Sequence, residues 1–328
     1  MKIGIIGAGA LGSLLGFYLS AQAEVWLLSR HHAHVEAVAT RGLRCERDGA
    51  EETRYPHITG DPAAIGPCDT VLVLVKAHQT VWAAEQARLL AGTEGRGPRA
   101  ESDADALSPQ SSVLSPLVVT LQNGIGNREA LAAALGWERV GQGVTMLGAT
   151  LLGPGHVRLA GQGPTIFGAA PDRGSATALA GLFAACGLPA ELTDDLEALV
   201  WGKLVVNAGI NALSALLRVP NGALAEIPQA RALAERAAAE AAAVATARGV
   251  RLPYADAQAH TLAVARATGA NRSSMLQDVL RGSPTEVDAI NGAVAREGRR
   301  LGVPTPVNAL LAELVTALDA TAGARVKA

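Results

Sequence analysis

The sequence predicts a doubly wound parallel α/β domain followed by an all-α domain, on three observations. Short β-branched runs alternate with helix-like stretches through the first half. A Gly-x-Gly-x-x-Gly turn joins the first of these runs to the first helix. From about Asp195 the composition shifts to long alanine-rich and leucine-rich helices. At 328 residues the chain exceeds the size at which a single core stops growing, so domains at 1–194 and 195–328 suit its length.

Lys2 to Ile6, Glu24 to Leu28, Thr70 to Val75 and Leu117 to Leu121 read as buried parallel strands, and the helical patterns between them imply right-handed βαβ units. No charged residue occurs between Lys2 and Glu24, so hydropathy alone would suggest a signal peptide or a membrane span. Gly4, Gly7, Gly9, Gly12 and Gly16 interrupt that stretch, and a strand, a turn and a helix explain their placement better. No membrane association is expected, and the chain is placed in the cytoplasm. Glycine-rich segments from Val140 to Gly168 predict further strands at the sheet edge. The run from Gly92 to Pro116, rich in Gly, Pro, Ser, Asp and Glu, reads as a surface insertion. In the second half Ala225 to Ala247 has almost pure helix-forming composition, and Pro253, Pro284 and Pro304 each stand near an expected helix start.

A net charge of −2 with scattered basic residues offers no electrostatic footprint for nucleic acid, so a small-molecule partner fits better. Cys45, Cys68 and Cys186 are far apart and odd in number, which suits a reducing compartment. His31, His32 and His34 cluster without acidic or cysteine partners at metal spacing. They read as a solvated loop, and no metal is expected.

The turn Gly7-Ala8-Gly9-Ala10-Leu11-Gly12 stands directly after a strand and opens a helix, the context that makes it a dinucleotide fingerprint. Gly7 permits the tight turn, Gly9 lets the backbone approach a pyrophosphate, and Gly12 lets helix and strand pack closely. The helix N-terminus presents unpaired N–H groups to the phosphates. About twenty residues on, where an NAD-binding unit places Asp or Glu, this chain has Ser29-Arg30-His31. A carboxylate would repel a 2′-phosphate and a guanidinium can pair with it, which argues for NADPH/NADP+; the alternative is that Arg30 is an ordinary solvated residue. Lys76 and Asn123 follow the carboxyl ends of the third and fourth strands, where open α/β sheets bind ligands. Asn123 suits a ligand contact and a left-handed turn residue equally well.

In the stretch from Leu196 to Leu217 the polar side chains Lys203, Asn207, Asn211 and Ser214 recur at spacings of four, four and three, on one narrow face of a helix. A thin, amide-rich stripe reads as hydrogen-bonding groups lining a cleft, because a solvated face normally carries charges of both signs. Hydride reduction of a ketone develops an alkoxide that needs a proton and a positive neighbour, and Lys203 suits both. The competing reading is a lysine snorkelling from a helix edge. Ser283-Pro284-Thr285-Glu286 has the form of a capping box, with Ser283 as N-cap and Glu286 at N3.

Together these residues resemble the ketopantoate reductase (2-dehydropantoate 2-reductase) family over nearly the whole chain. The resemblance is carried by the glycine turn, Val75-Lys76, Asn123-Gly124-Ile125-Gly126, and Lys203 with Asn207 and Asn211. Pro220-Asn221-Gly222, Ser273 to Asp278 and Thr285 to Asp288 complete it. It implies a Rossmann-type doubly wound parallel sheet with an all-α C-terminal domain, and NADPH-dependent reduction of 2-dehydropantoate to (R)-pantoate toward pantothenate and coenzyme A. It further implies that Lys203 is the proton donor, that Asn123, Asn207, Asn211, Asn221 and Ser274 bind the substrate, and that Asn123 also touches the cofactor. Gly7, Ala8, Gly9, Ala10, Leu11, Gly12, Arg30, Lys76 and Ala149 would line the cofactor, and Glu286 would stand in the closed cleft near the cofactor and the substrate hydroxyl instead of capping a helix. The insertion from Gly92 to Pro116 departs from the family's shorter connection. Two alternatives remain on this reading: reduction of another branched 2-oxo acid, and a non-catalytic NADP(H)-binding sensor. The apolar helices of the second domain suit internal packing or a homodimer.

Overall fold

The structure is a computed structural model that describes residues 1–92 and 116–324. The greater part of the segment read as a surface insertion lies outside the described residues. In chain order the first part comprises β1 (Lys2–Ile6), α1 (Ala10–Leu19), β2 (Glu24–Leu28), α2 (His32–Arg41), β3 (Leu43–Arg47), β4 (Ala50–Arg54), β5 (His57–Thr59) and β6 (Thr70–Val73). There follow α3 (Thr80–Leu90), β7 (Leu117–Thr120), α4 (Asn127–Leu135), β8 (Val140–Thr145), β9 (Gly148–Gly153), β10 (His156–Gly161), β11 (Thr165–Gly168), α5 (Arg173–Ala185) and β12 (Ala190–Leu192). The second part is helical: α6 (Leu196–Leu217), α7 (Asn221–Glu226), α8 (Pro228–Ala247), α9 (Ala257–Ala267), α10 (Ser274–Arg281), α11 (Asn291–Leu301) and α12 (Pro306–Ala320).

Contacts divide the chain into two compact units. One holds Met1–Gln122 and Asn127–Leu196; the other holds Glu197–Ala328 together with the tetrapeptide Asn123–Gly126. In the first unit an eight-stranded sheet runs β12-β11-β8-β7-β6-β1-β2-β5. All its pairings are parallel except that of β11 with β8. The chain passes from β1 to β2 on one side and returns to β6 on the other. The carboxyl ends of β1 and β6 therefore flank the switch point where such sheets take their ligands. Ile3, Ile5, Leu27, Leu72 and Val73 are fully buried, as continuous apolar strands covered on both faces must be.

Strands β9 and β10 do not extend this sheet, contrary to the edge placement expected from sequence. They pair with each other and, through β10 with β3, form a second sheet in the order β4-β3-β10-β9. This sheet packs on α1, which is covered from Gly12 through Leu19. A helix apolar on every side is a buried helix, and the second sheet supplies the cover. The histidine cluster also differs from expectation. His32 and His34 begin α2 instead of lying in a loop, and although His31 and His32 are exposed, His34 is buried at 4% exposure.

The helical unit packs around α6. By length and hydropathy α6 could cross a bilayer, yet 67% of its most apolar stretch is buried within the protein. Trp201, Leu204, Val205, Ala208, Ala212 and Leu213 enter a core shared with Leu224, Ala234, Ala241, Leu262 and Ile290. The run read as one helix from Ala225 is two, since α7 ends before Ile227 and Pro228 takes the first position of α8, where its missing N–H costs nothing.

A buried amide network ties α6, α8, α11 and α12 together. Asn291 donates to the Ala208 carbonyl and to Asn308 Oδ1, each at 3.0 Å, and Asn308 donates to the Ala237 carbonyl at 3.0 Å and to Glu240 at 2.9 Å. Glu240 in turn accepts the first amides of α12, Val307 N–H and Asn308 N–H, at 2.9 Å each. Asn308→Ala leaves several of these fully buried groups unmatched. It is expected to cost about 3 kcal/mol of stability in denaturant unfolding.

Candidate active site

The glycine turn follows β1 at the switch point and is shaped by contacts that only glycine allows. Gly7 has φ +105°, and a Cβ there would stand 2.7 Å from the Val75 amide nitrogen, so the turn abuts the chain leaving β6. A Cβ on Gly12 would lie 1.9 Å from the Gly7 carbonyl oxygen, whereas one on Gly9 would meet nothing within 4 Å among the described residues. The turn is thus closed on its protein side and open above Gly9. Gly9 is also the N-cap of α1 and lends it no side-chain cap, while α1 has no acidic residue in its first turn. Such an open, uncapped helix start matches the space and polarity a pyrophosphate needs. Ala8 is buried, whereas Ala10 and Leu11 are partly covered.

Arg30 is exposed directly after β2, with its guanidinium 4.5 Å over the ring of Trp82 on α3. Lys76 follows β6 and stands half-buried at the N-cap of a short 3₁₀ turn, Ala77–Gln79. Ala149 lies on β9, paired with Leu159 and packed against the α1 core. These residues all belong to the α/β unit.

Asn123 belongs to the helical unit, although it follows β7. Its backbone is not left-handed: Gly124 at φ +83° and Gly126 at φ +91° take that role. A Cβ on Gly124 would stand 2.2 Å from the Ala289 carbonyl oxygen, so glycine lets this tetrapeptide lie against the Val287–Ala289 turn. Asn123 Nδ2 then donates a long bond, 3.4 Å, to Glu286 Oε2.

The capping box expected at Ser283–Glu286 is not formed. Only a 3₁₀ turn follows, Glu286 makes no side-chain cap bond, and the next α-helix begins at Asn291. Glu286 is instead buried at 6% exposure. Its loop is clamped from both ends. Asp319 Oδ2 accepts Thr285 N–H at 2.9 Å and Thr285 Oγ1–H at 2.7 Å, while Arg296 pairs with the Asp288 carboxylate and carbonyl. Asp319 and Arg296 escaped the sequence reading because neither lies within a motif or shares a helix face with one.

Lys203 faces this carboxylate. Burial lowers its pKa from the ordinary lysine range to about 8, and the negative charge of Glu286 acts in the opposite direction. One turn and two turns further along α6, Asn207 is half-buried and Asn211 buried. Tyr254 fixes the start of this face by donating to the Gly202 carbonyl at 2.8 Å.

Ser214, the last member of the polar stripe, is structural. It is fully buried and bonded to the Asn211 carbonyl at 3.1 Å and to Ser273 Oγ at 2.6 Å. Ser273 caps α10 by accepting Leu276 N–H at 3.0 Å, which leaves Ser274 at the first helical position, half-buried. The serine pair therefore holds the far end of the α6 stripe beside the α10 N-terminus. Asn221 opens α7, buried at 7% exposure. Its amide nitrogen donates to Thr268 Oγ1 at 2.9 Å, and its carbonyl oxygen has no hydrogen-bond partner among the described residues.

Comparison with known proteins places this arrangement. The family model described as ketopantoate reductase PanE/ApbA matches residues 3–95 and 98–172, and the model of its C-terminal part matches residues 195–319. The 2-dehydropantoate 2-reductase of Halobacterium salinarum is 35% identical over 96% of this chain and 98% of its own length. That of Pyrobaculum aerophilum is 39% identical over 96% of this chain and 97% of its own. Among solved structures, the PanE/ApbA family ketopantoate reductase of Ralstonia eutropha JMP134 has a TM-score of 0.83 at 34% identity, covering 98% of this chain and 100% of that one. The ternary structure of D-mandelate dehydrogenase with NADH and anilino(oxo)acetate has a TM-score of 0.84 at 28% identity, covering 98% of this chain and 100% of that one. With both family models matched and full-length relatives above 30% identity, the chain belongs to the ketopantoate reductase PanE/ApbA family.

Proposed function

We propose that the protein reduces 2-dehydropantoate to (R)-pantoate with NADPH, a cytoplasmic step toward pantothenate and coenzyme A. The observation that carries this reading is the half-buried Lys203, its charge coupled to that of Glu286, on a helix whose next two turns carry Asn207 and Asn211. When bound, a reduced nicotinamide supplies the hydride. The Lys203 ammonium donates its proton to the oxygen of the ketone as negative charge develops there. Asn207, Asn211 and Asn123 orient the 2-oxo acid through their amides. Asn221, with a buried carbonyl oxygen left to accept, suits a substrate hydroxyl. Ser274 and the first amides of α10 suit a carboxylate, which the helix dipole favours at that end. Glu286 keeps Lys203 charged against its burial.

The glycine turn, Lys76 and Ala149 would hold the cofactor. Arg30 supports NADPH over NADH, since stacking on Trp82 steadies a guanidinium whose in-plane donors suit a 2′-phosphate. The similarity to D-mandelate dehydrogenase with NADH favours a second reading, reduction of another 2-oxo acid with the unphosphorylated cofactor. Three free cysteines, two of them buried, support a reducing compartment.

One panel separates the readings: ketopantoate, other branched 2-oxo acids and an aryl 2-oxo acid, each with NADPH and with NADH. The expected result is the highest kcat/KM for ketopantoate with NADPH, and an NADPH preference reduced about tenfold or more in Arg30→Ala, as loss of a charge-assisted hydrogen bond requires. A higher kcat/KM for the aryl acid with NADH would install the second reading. No turnover of any member would remove both.

A further inference from the structure

His34 is the one member of the histidine cluster that the interior claims, and all its hydrogen-bonding roles can be assigned. Its Nδ1 lies 3.1 Å from the Gly155 backbone nitrogen, between β9 and β10. A backbone amide can only donate, so Nδ1 is the acceptor, and the neutral ring carries its proton on Nε2. Nε2 lies 3.1 Å from Ser13 Oγ on α1, and Ser13 Oγ lies 3.1 Å from the Ala8 carbonyl oxygen. A carbonyl can only accept, so the Ser13 hydrogen goes to Ala8 and His34 Nε2–H donates to Ser13. The chain of donors runs one way, from Gly155 through His34 and Ser13 to Ala8.

Its end point is the glycine turn itself. The peptide joining Ala8 to Gly9 is trans, so its C=O and N–H point in opposite directions. Holding the Ala8 carbonyl toward Ser13 therefore aims the Gly9 N–H away from Ser13. Gly9 is exposed, with open space where a side chain would begin. We propose that His34 is a positioning residue for the cofactor: through Ser13 it fixes the peptide plane whose N–H meets the pyrophosphate, and it anchors that plane to the β9–β10 turn. Burial, reinforced by the nearby His31, lowers the His34 pKa and so keeps the ring in the neutral form that the relay uses. The proposal rests on the reading of the glycine turn as the cofactor site, not on the choice between NADPH and NADH.

The two arms of the ring can be tested separately. His34→Gln places an amide donor near the Nε2 position and keeps the Ser13 arm; His34→Asn places a carbonyl near Nδ1 and keeps only the Gly155 arm. Ser13→Ala removes one oxygen from the last link and leaves a good helix former in place. Dissociation constants for NADPH and for NADH would be measured by fluorescence titration, alongside kcat at saturating cofactor and the melting temperature. Ser13→Ala and His34→Asn are expected to weaken both cofactors about tenfold and by the same factor, with kcat unchanged, since each breaks the relay that ends on the turn, at Ser13–Ala8 in the first and at His34–Ser13 in the second. His34→Gln should stay within about threefold of the parent, even if its melting temperature falls as far as that of His34→Asn. Parent-like binding by Ser13→Ala, or equal weakening in Gln and Asn, would overturn the relay. Failure of the parent protein to bind either cofactor would remove the underlying reading as well.

Discussion

Lys203→Ala is expected to lower kcat for ketoacid reduction by about 10²–10⁴-fold, the usual contribution of a positioned proton donor. The KM for cofactor should change little, because the glycine turn, Arg30, Lys76 and Ala149, assigned to the nucleotide, lie in the other unit of the chain. Two opposing effects set the lysine's protonation. Burial favours the neutral amine, the Glu286 carboxylate favours the ammonium, and burial prevails, giving a pKa of about 8. An acid catalyst works in its protonated form. Thus kcat/KM for reduction should be level below about pH 8 and fall tenfold per pH unit above it. In Glu286→Gln the supporting charge disappears while the side-chain shape persists, so the break in the profile should move to lower pH. Lys203→Arg supplies a second check. The guanidinium keeps the positive charge but does not release its proton, so it should recover little of kcat. A Lys203→Ala enzyme retaining a tenth or more of parental kcat would assign the proton transfer elsewhere.

The parts of the fold legible in the sequence are those where one physical requirement acts alone. Strands β1, β2 and β7 and helix α6 emerge within a residue of their expected bounds, because each must be apolar over a set length with a turn or helix start at its end. The small second sheet was not legible from composition, since Leu43–Arg47 and Ala50–Arg54 are mostly charged and only Leu43 and Cys45 point inward. A local signal was nevertheless present. Asp48 and Gly49 take φ of 52° and 79°, the positive pair that a tight hairpin turn demands, and the Asp-Gly dipeptide between alternating runs is its signature. That sheet explains in turn why α1 is apolar on every side and why β9 and β10 leave the main sheet.

The site divides in the same way. The glycine turn and the Lys203 stripe follow from local spacing, and both were readable. Glu286 was not readable from local spacing, which satisfies a helix-capping pattern that the structure does not use; only the family resemblance implied its place. What overrides the local preference is a long-range clamp, Asp319 on Thr285 and Arg296 on Asp288, which holds the segment in a turn. Ser214 errs in the opposite direction. Helical spacing groups it with the amides, but Ser273, 59 residues away in sequence, claims its hydroxyl. Spacing reports which face a side chain occupies, and only tertiary contact decides whether that face is spent on structure or left for a ligand.

Gly9→Ala and Gly12→Ala, two additions of one methyl group within the same turn, should fail for opposite reasons. Gly9 has φ −73°, a value alanine adopts without strain, and its added Cβ meets no atom of the described residues within 4 Å. The melting temperature of Gly9→Ala should therefore match the parent's. The methyl group occupies the space through which the backbone would approach the cofactor phosphates, so one or two charge-assisted hydrogen bonds are lost. At about 1.5–3 kcal/mol each, the Kd for NADPH should rise by about 10–10⁴-fold. At Gly12 the added Cβ would stand 1.9 Å from the Gly7 carbonyl, a backbone atom with no flexible side chain to move aside. The turn and the start of α1 must separate, so Gly12→Ala should lose cofactor affinity and several degrees of melting temperature together. The informative quantity is the difference between the two variants. Cofactor binding by Gly9→Ala at parental strength, with its fold intact, would mean that the nucleotide does not lie over this turn, whatever Gly12→Ala does.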